Sequence, residues 1–269
     1  MTWYEALILG IVEGITEYLP VSSTGHLLLA ERALGIERSE AADAYAICIQ
    51  AGAILAVLGL YRARVAQMAR GALGRDPAGR RLLVQLVVAF LPAATLGFLF
   101  DDLIDAWLFG LWPVVFAWVV GGGAILLLRG RGGGRSLEEL DLRTAFLVGC
   151  AQCFALWPGT SRSLATILGG SLLGLSLPAA VEFSFLLGLL TLGAATSYSA
   201  LKHGEEMLAA FGPEPLVIGF VASAISAAVS VKWLVGWLQS RGLEIFAFWR
   251  IGLAAVVSAL LLAGTLPPG

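Results

Sequence analysis

The sequence predicts an all-α, polytopic integral membrane protein, and three observations carry that reading. Only 13% of its 269 residues are Asp, Glu, Lys or Arg, about half the share of a soluble domain. Hydrophobic residues make up 58%, and the mean hydropathy is +0.86. The apolar stretches are long runs rather than alternating patterns, which selects helices. A soluble globule of this size would expose more surface than so few charges could cover. A net charge of −2 offers no basic face to nucleic acid. An ordinary cytosolic enzyme, a disordered chain and a free nucleic-acid binder are excluded.

The chain opens Met1-Thr2-Trp3-Tyr4-Glu5, with no Lys or Arg before the first apolar stretch and no small-residue cleavage site. It is not expected to be a removable signal. Six segments have the length and character of a membrane span: 42–61, 82–100, 112–128, 179–200, 216–237 and 248–265. Crossing a core of about 30 Å takes roughly 20 helical residues. Two other apolar regions, 3–35 and 145–175, are broken near the middle. The breaks are Pro20-Val21-Ser22-Ser23-Thr24-Gly25 and Pro158-Gly159-Thr160-Ser161-Arg162-Ser163. Each region reads as a re-entrant hairpin, because non-helical backbone at that depth must be buried in protein or line a wet cavity.

Setting Pro20 against Pro158 aligns Ser22-Ser23 with Thr160-Ser161, an offset of 138 residues. An odd number of crossings separates the hairpins, so they enter from opposite faces. The expected arrangement is an inverted-topology repeat, approximately 1–128 and 145–269, in a single membrane domain joined by a cytoplasmic loop at 129–144. Loops 62–81, 129–143 and 238–247 carry 11 Lys and Arg, against 3 in 31–43, 101–111 and 201–214. The positive-inside rule then places both termini and the first hairpin away from the cytoplasm. The acidic group Asp101, Asp102 and Asp105 falls on that outer side. The eight tryptophans read as interfacial belts. Cys150-x-x-Cys153 has no second pair and sits in apolar helix, so it reads as structural.

The informative positions are ionisable groups inside apolar segments: Glu13, Glu17, His26, Arg162 and Glu182. Each charge at a helix centre costs about 2.5–3.5 kcal/mol on insertion scales. Glu13 and Glu17 are four apart and share one helix face. Two carboxylates there need a metal ion, Arg162 or a shared proton between them. Ser22, Ser23 and Thr24 open one half-helix, and Ser161 and Ser163 open the other. Helix starts of this kind present free N–H groups to an anion, Gly159 permits close backbone approach, and Arg162 can clamp phosphate oxygens. His26 is a candidate nucleophile, general acid or general base. Glu182 is expected to orient Arg162, and Gln50 and Gln152 are polar groups open to a supporting or a helix–helix role. His203, with Glu205 and Glu206, reads as solvated.

Glu13-Gly14-Ile15-Thr16-Glu17-Tyr18-Leu19-Pro20-Val21-Ser22-Ser23-Thr24-Gly25-His26 resembles the first signature of the undecaprenyl-diphosphate phosphatases, the bacitracin-resistance family of bacterial membrane enzymes. Pro158-Gly159-Thr160-Ser161-Arg162-Ser163, running on to Thr166, resembles the second. Ile49 to Val57, including Gln50, and Glu182 to Leu187 extend the likeness. Leu164 departs from it, standing where the family usually has glycine, and its bulk is expected to narrow the second hairpin. The resemblance implies hydrolysis of undecaprenyl diphosphate to undecaprenyl phosphate and phosphate, which recycles the lipid carrier of cell-wall synthesis and confers bacitracin resistance. It implies Glu13, Glu17, Ser23, His26 and Arg162 as catalytic residues, and a divalent cation, Mg2+ or Ca2+, with Glu13 and Glu17 as its ligands. The expected substrate-binding set is Ser22, Thr24, Gly159, Thr160, Ser161, Ser163, Thr166, Glu182 and Gln50. The implied site faces the periplasmic side of the inner membrane, and the partners are a polyprenyl diphosphate and membrane lipids, not nucleic acid. Ser23, His26 and a directed water remain open as nucleophile. Inverted repeats with broken helices are also transporter architecture, so a transporter or flippase of the same lipid is the rival reading.

Overall fold

The computed structural model describes residues 1–267, except for the side chains of Asp101, Asp102 and Asp105. The expected outer acidic group therefore lies outside the described residues. Among these residues the chain forms eleven α-helices: α1 (Trp3–Thr16), α2 (Ser23–Ala33), α3 (Glu40–Leu60), α4 (Arg62–Ala72), α5 (Pro77–Leu108), α6 (Leu111–Leu127), α7 (Leu142–Gln152), α8 (Arg162–Leu172), α9 (Leu177–Phe211), α10 (Pro213–Trp237) and α11 (Glu244–Leu262). The protein is an all-α, polytopic membrane protein.

Five helices, α3, α5, α9, α10 and α11, are long and apolar enough to cross a membrane. The sixth expected span corresponds to α6, whose 17 residues sit at the lower limit for crossing. Two expected loops are helical instead. Residues 201–211 continue α9, because Ala, Leu, Lys, Glu and Met all favour helix, until Gly212 (φ +76°) and Pro213 end it. Residues 62–72 form α4. A new helix then starts at Asp76-Pro77, where the Asp76 carboxylate accepts the Gly79 N–H at 2.9 Å. That bond holds the Asp76 carboxyl below its ordinary range.

Both broken regions are pairs of short helices. α1 and α2 have 14 and 11 residues; α7 and α8 have 11 each, with a 3-10 turn at Cys153–Leu156 between them. Eleven helical residues rise only about 16 Å, roughly half the hydrocarbon thickness. Their packing is exchanged: α1 lies on α10, while α7 lies on α5. Small residues allow the approach. A Cβ on Gly14 would fall 2.3 Å from the Ser223 carbonyl oxygen, and one on Gly149 would fall 2.3 Å from that of Ala89. Ser230 Oγ also donates to the Ile15 carbonyl at 2.8 Å.

One apolar cluster joins the two breaks to the long helices, through Tyr18, Leu19, Leu164, Ile167, Phe185 and Val231. Leu164 is 2% exposed and packs there, so its bulk fills core and does not narrow the hairpin. Large apolar side chains such as Phe116, Leu127 and Leu201 are exposed on the outside, as lipid contact requires. Trp118 corrects the belt reading: it is wholly buried beneath α11 with Val114 and Ala254.

Candidate active site

The site is built where α1 ends and α8 begins. Glu17 is the C-cap of α1 and Arg162 the first residue of α8. An acid at a helix C-terminus and a base at an N-terminus are both disfavoured by the helix dipole. Here the two misplaced charges meet: Arg162 Nη2 donates to Glu17 Oε1 at 3.0 Å, with side chains 11% and 5% exposed. Arg162 Nη1 donates to the Ser184 carbonyl of α9 at 2.9 Å, and its guanidinium lies 5.2 Å from the centre of the Tyr18 ring. Its Nε is buried without a partner.

The other oxygen of Glu17 accepts from Ser23 Oγ at 2.5 Å. One carboxylate thus bridges the hydroxyl that opens α2 and the guanidinium that opens α8. Glu13, one turn earlier on α1, is wholly buried beside Glu17, and among the described residues no donor satisfies either of its carboxylate oxygens. An isolated buried carboxylate is strongly unfavourable, and a bound cation or a proton shared with Glu17 would relieve it. Two hard carboxylate groups on one face suit Mg2+ or Ca2+.

The turns that precede α2 and α8 share an unusual backbone. Ser22 has φ +75° and Ser161 φ +77°, the two non-glycine residues with positive φ among those described. Such conformations cost about 1–3 kcal/mol each and cluster at functional sites. Each serine caps the helix it starts: Ser22 Oγ accepts from Gly25 N at 3.5 Å and Ser161 Oγ from Leu164 N at 3.2 Å. The N–H groups of Ser23 and Thr24, and of Arg162 and Ser163, have no intrahelical acceptor. The two strained caps are 139 positions apart, so Ser22 corresponds to Ser161 and Ser23 to Arg162. This shifts the alignment made on the prolines by one residue.

The remaining candidates divide into supports and outliers. Ser163 Oγ donates to the Leu19 carbonyl at 3.0 Å and lies 2.9 Å from Ser161 Oγ, tying the second turn to the first. Thr166 Oγ1 donates to Ser184 Oγ at 2.7 Å, locking α8 onto α9 beside Arg162. Thr160 closes the second turn through its N–H to Trp157 O at 3.1 Å. His26 stands apart from the carboxylates. Its Nδ1 is 2.7 Å from the Ser22 carbonyl, and its Nε2 accepts from Trp249 Nε1 at 2.9 Å. That pattern fixes the neutral Nδ1–H tautomer and steadies the strained Ser22.

Glu182 does not orient Arg162. It pairs with Arg64 Nε at 2.6 Å, and Arg64 also holds Glu138 at 2.6 Å. The reason is rotation: Ser184, two residues on, points its backbone and hydroxyl at α8, leaving Glu182 on another face of α9. Gln50 on α3 is half-buried and makes no hydrogen bond with the site's side chains among the described residues. His203 is not simply solvated, since its Nδ1 lies 3.2 Å from Glu40 Oε2 at the start of α3.

Arg250 is not among the expected site residues, yet it holds both turns in place. It is wholly buried in α11 and donates to four carbonyls: Ala117 at 2.9 Å, Trp118 at 3.4 Å, Pro20 at 3.2 Å and Gly159 at 2.8 Å. One guanidinium therefore ties both broken turns to α6. The insertion cost that singled out Arg162 applied equally to it.

The chain is similar to known proteins along nearly its whole length. The model of the family described as bacitracin resistance protein BacA matches residues 6–256. A protein of Sorangium cellulosum named undecaprenyl-diphosphatase is 47% identical over 264 residues, covering 96% of this chain and 86% of its own. Undecaprenyl-diphosphatase 1 of Chromobacterium violaceum is 44% identical, covering 94% of each chain. Undecaprenyl-diphosphatase 2 of Rhodospirillum rubrum is 44% identical, covering 97% and 95%. Matched along nearly its whole length, with Glu13, Glu17, Ser23 and Arg162 all inside the matched region, the chain belongs to the bacitracin resistance protein BacA family.

Proposed function

We propose that this protein hydrolyses undecaprenyl diphosphate to undecaprenyl phosphate and inorganic phosphate, recycling the lipid carrier for cell-wall synthesis and conferring bacitracin resistance. The observation that carries this reading is the buried Ser23–Glu17–Arg162 chain, in a protein whose relatives bear that activity's name. The site belongs to the inner membrane and faces its periplasmic side, an orientation supported by the Lys and Arg bias of the loops. The exchanged packing of α1 on α10 and α7 on α5 supports inverted repeats at approximately 1–128 and 145–269.

Arg162 holds the diphosphate with its free Nε and the N–H groups that open α8, while those of Ser23 and Thr24 meet it from the other turn. Ser23 Oγ attacks the terminal phosphorus in line, and its proton passes to Glu17 Oε2. The O–P bond forms as the bond to the bridging oxygen breaks, releasing the lipid monophosphate. Water then cleaves the phosphoserine to free phosphate and serine. Glu13, with Glu17 alongside, would hold the divalent cation, which when bound would neutralise the diphosphate's charge. Ser23 is favoured over His26 as nucleophile because both ring nitrogens of His26 are engaged elsewhere.

The test is phosphate release from the lipid diphosphate by purified protein in detergent with Mg2+ or Ca2+. Release should cease with chelator, and Ser23→Ala should fall at least ~100-fold. Near-native turnover in Ser23→Ala would eliminate the covalent route. Lipid movement across liposomes without phosphate release would replace the enzyme by a transporter. Glu182→Gln should leave turnover within about twofold while lowering the melting temperature slightly, since the ion pair it loses is partly exposed. A large loss of turnover would return Glu182 to the site.

A further inference from the structure

We infer that Gln152 is a substrate-binding residue whose side-chain amide meets the diphosphate held by Arg162, in a cavity that also takes the first part of the lipid. This deepens the proposed phosphatase reading and rests on it. The cavity, of about 710 Å³, lies between α5, α9 and the α7–α8 hairpin. Its size falls in the usual range for small-ligand sites, about 300–1,000 Å³, so a long polyprenyl chain must leave it for the bilayer. Phe90, Phe98 and Leu99 of α5 and Leu192 of α9 give it apolar walls. The charged residues lining it are Arg162 and Lys202, both cations. Arg162 shares its charge with Glu17 but keeps donors for an anion, and with Lys202 it makes the apolar trough suit an anionic head on a hydrocarbon tail.

Gln152 lines this cavity. It is the last residue of α7 and is 2% exposed, yet neither its amide nitrogen nor its amide oxygen has a partner. Buried polar groups are nearly always hydrogen-bonded, and an apolar residue of similar volume would serve packing better. The same cavity contains Arg162, whose Nε is likewise buried and unpaired. A phosphate group between them supplies the acceptors both donors lack, and a bound water can satisfy the amide oxygen. Lys202 lies 14 residues beyond Gly188, which a Cβ would drive into the Arg162 guanidinium. That separation is about 21 Å along α9. Lys202 therefore marks the far end of the trough, where it attracts the anion before Arg162 binds it.

The experiment compares wild type, Gln152→Leu and Gln152→Glu in phosphate release with undecaprenyl diphosphate, alongside their melting temperatures in detergent. Gln152→Leu should raise KM about tenfold, with the melting temperature held or raised because the orphaned amide is gone. Gln152→Glu, nearly isosteric, should raise KM further through repulsion of the diphosphate. An unchanged KM in both variants overturns the inference, as does a lowered melting temperature with KM unchanged, the signature of a helix–helix tie. If Gln152→Leu does not fold, Gln152→Glu carries the test alone. Failure of the phosphatase reading is separately visible, because the wild type would then release no phosphate. In that case protection of the wild type against melting by the lipid diphosphate, absent in Gln152→Glu, would still support the contact, and equal protection would refute it.

Discussion

Glu17→Gln is expected to lower phosphate release at least ~1,000-fold. Glu17 does two things at once. One oxygen takes the Ser23 hydroxyl proton, and the other neutralises Arg162. Loss of a positioned general base alone costs typically 10²–10⁴ in rate. The amide is nearly isosteric and can still accept a hydrogen bond from Ser23, so the turns should hold their places. It cannot take a proton, and it leaves the Arg162 charge unbalanced in a site 11% exposed. The defect should therefore fall on kcat, with KM held or lowered, since an unneutralised guanidinium binds the diphosphate more tightly. The measurement is steady-state phosphate release together with a melting curve. Turnover within tenfold of wild type would remove Glu17 from the proton path.

Much of this site was legible because insertion into lipid penalises each charge separately. Glu13, Glu17 and Arg162 stood out in apolar segments before any geometry was known, and the structure brings Glu17 and Arg162 into contact. The spans were legible for the same reason, since a hydrophobic run of fixed length is a one-dimensional signal. What failed needed three dimensions. Glu182 has the charge to pair with Arg162, but helix rotation turns it toward Arg64. His26 carried the right chemistry, yet Trp249 and the Ser22 carbonyl occupy its ring, and no spacing rule links residues 223 positions apart. The segment 201–211 has the polarity of a loop but the composition of a helix, and in the structure its helix propensity prevails. The strained φ of Ser22 and Ser161 was invisible too. Serine at a helix start reads as an ordinary cap until the backbone is seen.

Arg250→Met is expected to lower the melting temperature by about 10 °C and to remove most activity without touching a reacting group. The four carbonyls that Arg250 serves come from both broken turns and from α6. Methionine fills a similar volume but donates nothing. The Ala117 and Trp118 carbonyls keep their hydrogen bonds within α6, but those of Pro20 and Gly159 would be left unsatisfied at about 1–3 kcal/mol each, a sum on the order of 4 kcal/mol. For a chain of this size, about 2–4 °C is lost per kcal/mol. The functional loss follows from position. Pro20 is three residues before Ser23, and Gly159 three before Arg162, so releasing these two carbonyls frees both helix starts that converge on Glu17. Gly121→Ala provides an independent route to the same defect. Its Cβ would lie 2.3 Å from Arg250 Nη2, and a guanidinium held by four carbonyls has nowhere to move. Both variants should therefore lose activity in proportion to the displacement of the turns, and low temperature should restore part of it. If Arg250→Met melted as the wild type does, the two turns would have to be held by the Ser163–Leu19 and Glu17–Arg162 contacts alone.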